Sequence, residues 1–374
     1  MPDHFRLFFW FKKNVAVVIT WWRRYVYREF LKSEKVELPK DSIVLSYGSV
    51  LGEQLDSGIA LTGGRVKLTY LHQRYPHTKR NFNILYLVSS ALPKHSIDIA
   101  HWAKARGIKV VLNQDGVAYP AWTNDHQRIN SELKSVLRLA DLVIYQSDFC
   151  KEAANRFLGM APAMQTVMNN CVDVATFRQG EKVISSEITL LVAGSHYQRE
   201  RVTIPLHALR ALRDEGVRVR LIIAGPLRWP GAGEEIRQFL QEQELSQFVE
   251  MCGTFSYHDA PSIYAQADIL LHLKYKDPCP NVVIEAMACG LPTIGSNSGG
   301  LPELVGDCGV LLPVVSSWDE MMYPTVDNVC EAMIESAESL MARQLAARNR
   351  AIAKFSSDEW LAKHDRLFRR LLEL

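Results

Sequence analysis

Residues 276–305 read KDPCPNVVIEAMACGLPTIGSNSGGLPELV. The stretch decides the fold because it runs strand end, loop, helix, Gly-Leu-Pro stop, short strand and a second glycine-rich loop. Short buried strands alternating with helices build a parallel sheet covered on both faces. Pro280 fits the first helical position, where its missing N–H costs nothing. The amides of Asn281, Val282 and Val283 follow, expected to be unpaired within the helix and aimed at a cleft. A helix N-terminus carries about half an elementary positive charge and binds phosphate through such amides. Glu285 lies one turn in, within an apolar face.

The alternation extends outward in both directions. Strands are expected at Ile188–Ala193, Val219–Ala224, Phe248–Cys252 and Ile269–Leu273, with another starting over Pro292–Gly295. Helices are expected at Thr203–Glu215, Glu234–Glu242, Pro261–Ala267 and Asn281–Cys289. A first set precedes a polar linker at 174–187. Its strands are Ser42–Val50, Asn83–Ser89, Ile108–Leu112 and Leu142–Gln146, and its helices Ile97–Arg106, Arg128–Leu139 and Lys151–Leu158. The last stretch, Ser357–Leu374, is an amphipathic helix with Trp360, Leu361, Leu367, Phe368, Leu371 and Leu372 as its apolar stripe. The 374 residues suffice for two domains of about 100–200 residues each. The expectation is α/β, with two doubly wound domains facing a central cleft at the carboxyl ends of their strands.

Composition narrows the function classes. Hydrophobic residues make up 48% and charged residues 22%, which excludes wholesale disorder. The net charge of +2 argues against a general polyanion binder, so no nucleic-acid partner is expected. Residues 1–30 hold six cations (Arg6, Lys12, Lys13, Arg23, Arg24, Arg28) against Asp3 and Glu29, or +4, which leaves −2 for the remainder. Seven scattered cysteines form no C-x-x-C pair and read as reduced thiols in a cytosolic protein. The segment 1–37 is rich in Trp, Phe and basic residues, yet its run from Asn14 to Trp22 covers only about 14 Å as a helix, half a hydrocarbon core. Two readings stand: an in-plane anchor on an anionic membrane surface, or a segment packed on the protein itself.

The stretch quoted above resembles the signature of glycosyltransferase family 4, a retaining group with the two-domain GT-B fold. That signature is E-x7-E, then a G-x-P turn and a GG-x-P-E loop. Here Glu285 is the second Glu, Gly290-Leu291-Pro292 the turn, and Gly299-Gly300-Leu301-Pro302-Glu303 the loop. Asp277 replaces the first Glu, and Cys279-Pro280 replaces the family's Phe-Gly. Gly63-Gly64 fall where the family has a loop facing the donor diphosphate, although a plain turn reads equally well. Asn170–Asp173 (NCVD) with Phe177 resembles the family's N-G-V-D…F element at the domain junction. After Gly194 the family places an Arg and then a Lys; here they are Ser195 and Arg201, with Arg199 either a partial substitute or a solvated side chain. The family's first-domain His is absent from Asn113-Gln114-Asp115-Gly116, where Asp115 is either its substitute or a turn residue.

The resemblance implies a division into 38–178 (acceptor domain), 188–350 (nucleotide-sugar domain) and a C-terminal helix, 351–374, crossing back to the first. It implies transfer of a sugar from a nucleotide-diphosphate sugar to a glycan or lipid-linked acceptor, with retention of configuration, as in cell-surface polysaccharide assembly. Arg201 and the amides of Asn281–Val283 would meet the leaving diphosphate. Glu285 would hold the ribose hydroxyls and Asp277 the sugar hydroxyls. Gly194, Ser195, Gly299 and Gly300 would let backbone approach the donor. No D-x-D occurs, so neither a metal nor another cofactor is expected. With the N-terminal segment, this gives a cytoplasmic protein peripheral to the inner face of the plasma membrane. Two rivals remain: a sugar-nucleotide epimerase on the same fold, and a catalytically silent binding or scaffold protein.

Overall fold

The computed structural model describes residues 36–57, 65–180 and 187–373. Nearly all of the basic aromatic segment 1–37, and both Gly63 and Gly64, lie outside the described residues.

The first sheet is parallel, in the order β1 (Leu45–Ser46), β2 (Ile84–Val88), β3 (Lys109–Gln114), β4 (Leu142–Tyr145), β5 (Met164–Val167). Helices α1 (Ser49–Asp56) and α2 (Lys67–Arg74) follow β1, while α3 (Ser96–Lys104), α4 (His126–Leu139) and α5 (Asp148–Phe157) follow β2, β3 and β4. Leu45 pairs with Ile84 on one edge and bridges to His77 on the other. The chain therefore winds first to one side of β1 and then back to the other, its first half reduced to a single bridge. Side chains alternate across the pleat. Ile84, Tyr86 and Val88 enter one core with Leu51, Leu55, Leu68 and Leu71, whereas Leu85 and Leu87 enter the other with Ile99, Val136 and Ala154.

The second sheet is also parallel and contains β6 (Ile188–Ala193), β7 (Val219–Ala224), β8 (Val249–Gly253), β9 (Ile269–His272), β10 (Thr293–Ser296) and β11 (Val310–Leu312). Its order is β11-β10-β9-β6-β7-β8. Its helices are α6 (Glu200–Asp214), α7 (Ala232–Glu242), α8 (Ala260–Ala265), α9 (Asn281–Ala288), α10 (Leu301–Val305), α11 (Val326–Glu338) and α12 (Leu340–Phe355). The strand order reverses at β6, which has β7 on one side and β9 on the other. Such a switch point opens a crevice beyond the strand ends.

Helix α13 (Ser357–Leu372) leaves the second domain and completes the first. Trp360 and Phe368 are buried in the core with Leu45, Tyr47 and Tyr86. Phe368 packs edge-on against Tyr75 and Tyr86, with ring centroids 5.7 and 6.1 Å away. His364 fills the middle of the stripe: its Nε2 meets Tyr86 Oη at 3.1 Å across 278 sequence positions.

Two expectations need correction. The strand expected over Ser42–Val50 is only Leu45–Ser46, because Gly48 turns at φ 77° and Ser49 starts α1. The linker expected at 174–187 is anchored at its start: Phe177 is fully buried in the second domain's core, and Arg348 donates to Phe177 O (2.7 Å) and Val174 O (3.0 Å). All seven cysteines are free. Among the described residues, no helix is long and apolar enough to cross a membrane.

Candidate active site

The crevice at the β6/β9 switch point gathers most of the residues singled out from sequence. Past β6 the chain turns at Gly194 (φ 106°), where an added Cβ would lie 3.7 Å from Val282 Cγ1 and 3.9 Å from Arg201 Nη2. The carboxyl end of β6, the start of α6 and the start of α9 thus meet at one point. Arg201 is only 4% exposed. It donates from Nη1 to Ser195 O (2.7 Å) and from Nη2 to Ala193 O (3.3 Å), while its buried Nε has no partner among the described residues. Burial lowers the guanidinium's pKa, opposed by the nearby Asp277 carboxylate. A buried cation with an unspent donor is arranged to receive an anion.

Asp277 follows β9 and is 8% exposed. Burial alone would raise its pKa, but the Lys274 ammonium (3.0 Å) and His272 Nε2 (3.2 Å) outweigh it and hold the carboxyl well below the usual range. Burial in turn keeps His272 below its ordinary value despite that carboxylate. Lys274 and His272 were missed from sequence. A Lys three residues before an Asp was the available signal, whereas a lone His at a strand end gave none.

Glu285 sits on α9 and accepts from Tyr264 Oη at 2.9 Å. Burial pushes its pKa up to about 7, only partly offset by that hydrogen bond. A carboxyl raised in the folded state makes stability greatest below its unfolded value near 4.5, and stability then falls as pH rises towards 7. We expect the native chain to lose about 2 kcal/mol from this group between pH 5 and 8, allowing for partial solvent access. Urea titrations of wild type and Glu285→Gln at both pH values check this. An unchanged pH dependence in the variant would assign the loss to other groups.

Three details differ from expectation. Pro280 is the N-cap, not the first helical residue, because its carbonyl already accepts from Val283 N (3.2 Å). The Val283 amide is therefore committed within the turn and not open to a ligand. Gly299 (φ 67°) and Gly300 make room for the chain's own backbone, since a Cβ would come within 2.4 Å of Asp277 O at the first and 2.0 Å of Pro278 O at the second. Arg199 is exposed in an ion pair with Glu235, and Ser195 is likewise at the surface.

The first domain presses on the same loop. Ser147 Oγ donates to Pro278 O (2.7 Å), and a Cβ on Gly116 would lie 3.6 Å from Pro278 Cγ. Asp115, at the end of β3, accepts from Ser90 N (2.9 Å) and from the hydroxyls of Ser89 and Ser90. Those bonds fix the turn after β2 and occupy the carboxylate, so the geometry favours the turn-holding reading of Asp115. Glu303 accepts from Asp148 N (2.7 Å) and Phe149 N (2.8 Å), capping α5 across the domain boundary. Trp318, on the segment between β11 and α11, stacks on Phe149 with centroids 5.6 Å apart and adds a second clasp. Behind the loop lies a cavity of 140 Å³ lined by Phe149, Lys276, Gly299 and Trp318, too small for a nucleotide sugar. Gly63 and Gly64 remain outside the described residues.

Comparison with known proteins agrees with this geometry. Residues 187–323 match the family model of glycosyl transferases group 1. The chain is 23% identical over 274 residues to a phosphatidylinositol N-acetylglucosaminyltransferase of Arabidopsis thaliana, covering 68% of this chain and 61% of that protein. It is 25% identical over 191 residues to a putative colanic acid biosynthesis glycosyltransferase, WcaL, of Salmonella typhimurium, covering 49% and 46%. These matches span less than two thirds of either relative's length. Among solved structures, HepE of Anabaena in complex with UDP superposes with a TM-score of 0.66 at 16% identity, covering 88% of this chain and 99% of that one. The architecture is GT-B.

Proposed function

We propose, from the premise that the chain is a GT-B, glycosyltransferase family 4-like protein, that it moves a sugar from a nucleoside-diphosphate sugar to a glycan or lipid-linked acceptor with retention of configuration. The observation that carries the reading is the meeting of Arg201, Gly194 and the start of α9 at the β6/β9 switch point, with Glu285 one turn further. Breaking the bond from the anomeric carbon to phosphate leaves negative charge on the diphosphate and positive charge on the sugar ring. Arg201 and the α9 dipole stabilise the former, and they supply the charge without calling on a metal. Asp277, kept ionised by Lys274, faces the sugar, and Glu285 accepts the ribose hydroxyls. With no obvious covalent nucleophile in the crevice, front-face transfer assisted by the departing phosphate fits best.

UDP is the first donor base to try, because HepE binds it on the same fold. Relatives named for phosphatidylinositol and colanic acid glycosylation favour an acceptor at a membrane surface, where the basic segment 1–37 would bring a cytoplasmic enzyme to the inner leaflet. The test is a thermal-shift screen against UDP, GDP, ADP, CMP and dTDP, followed by transfer from the matching labelled nucleotide sugar. A ligand at 100 times its dissociation constant stabilises by about 2.7 kcal/mol. Stabilisation by one nucleotide, with transfer to a lipid or glycan fraction, supports the reading. Silence towards every nucleotide overturns it.

A further inference from the structure

Lys67 is the first residue of α2 and is 2% exposed. Its Nζ donates to Gln146 Oε1 and to Asn170 Oδ1, each at 3.1 Å. Both acceptors are neutral, and among the described residues no carboxylate pairs with it. Both are also held with their oxygens turned to the lysine. Gln146 spends its Nε2 on Asp115 O, and Asn170 spends its Nδ2 on Cys279 O (3.0 Å) and Asn281 Oδ1 (2.8 Å). Gln146 ends β4 and Asn170 follows β5, so this cradle lies at the carboxyl end of the first sheet and is one residue from the start of α9. A buried ammonium without a counter-ion is unfavourable, and a cation at a helix N-terminus opposes the dipole. Nothing in the fold of the first domain repays either term.

We infer that Lys67 is a positioning cation for the ligand's diphosphate, contributed by the first domain and acting through Asn170 and Asn281 on the start of α9. The inference rests on the proposed nucleoside-diphosphate site. On the second domain's side, Arg201 and the α9 dipole are positive, and Asp277 is already balanced by Lys274. The junction therefore gathers uncompensated positive charge from both domains, and a diphosphate is the ligand class that neutralises it. Asn170 links the two halves: a domain shift that breaks its bonds to Cys279 and Asn281 also separates the two cations.

The experiment compares wild type, Lys67→Met, Lys67→Arg and Gln146→Glu by calorimetric titration with inorganic pyrophosphate, with the nucleoside diphosphate selected by the thermal screen, and with the corresponding uncharged nucleoside. Removing a buried unpaired charge should leave the melting temperature of Lys67→Met unchanged or raise it. Its affinity for both diphosphates should fall at least tenfold while nucleoside affinity holds, and Lys67→Arg should restore most of the loss. Gln146→Glu, which supplies an internal counter-ion, should lower diphosphate affinity in the same way with the lysine still present. Diphosphate affinity within twofold of wild type in both Lys67→Met and Gln146→Glu overturns the inference while leaving the nucleotide site standing. An equal loss of nucleoside affinity also overturns it, because the lysine then acts through the fold alone. If wild type binds pyrophosphate through Lys67 but no nucleotide, the proposed function fails and the anion site remains.

Discussion

Arg201→Met should lower nucleoside-diphosphate affinity about 100-fold or more, with turnover following it down. The side chain is buried, fixed by Ser195 O and Ala193 O, and left with a donor that meets nothing in the protein. Hydrogen bonds to charged groups are worth about 1.5–3 kcal/mol each, so two to a phosphate give roughly two to four decades. The lower end is the safer expectation, because the two backbone carbonyls that lose their donor relax towards water. Arg201→Lys keeps the charge but cannot reproduce the planar fork, and should recover only part of the affinity. Calorimetric titration of the three proteins checks this, with circular dichroism to confirm the fold. Wild-type affinity in a folded Arg201→Met would remove the guanidinium from the site.

Phe368→Ala should be the most damaging single substitution for the first domain. The ring is fully buried between Tyr75 and Tyr86, on a helix that joins this domain from the far end of the chain. Large aromatic-to-alanine changes in a core cost about 3–5 kcal/mol. For a domain of this size that lowers the melting temperature by roughly 10 °C. Thermal unfolding of the variant beside Leu371→Ala, whose side chain is only partly buried, measures it. A shift no larger than that control's would mean that α13 is held by something other than its aromatic stripe.

The second sheet was legible from sequence because its central strands are unbroken apolar runs; Leu190, Leu191, Leu221, Ile223, Leu270 and Leu271 are all buried. β5 was not, since Met164–Val167 is half-buried throughout and gives no such run. α1 was hidden by Gly52, a poor helix former whose missing side chain makes room for His77, 2.3 Å from where a Cβ would be. At the site, residues close in sequence were found together, as Asp277, Asn281 and Glu285 were. The partners that crossed domains were not. That Glu303 caps α5, 155 positions away, depends on two domains docking in one way, and no local pattern encodes it. The same holds for Lys67, whose amide partners lie 79 and 103 positions away.

The position of α13 also sets an order of events during synthesis. The second domain is continuous in sequence and can close its core as soon as α12 has left the ribosome. The first domain emerges earlier but lacks one wall, because Trp360, His364 and Phe368 are made last. Until then the pocket around Tyr47, Tyr75 and Tyr86 faces solvent in the nascent chain, a surface that invites chaperones and aggregation. A stop codon just before Ser357 would therefore spare the nucleotide domain as a folding unit and leave its neighbour permanently open on one face.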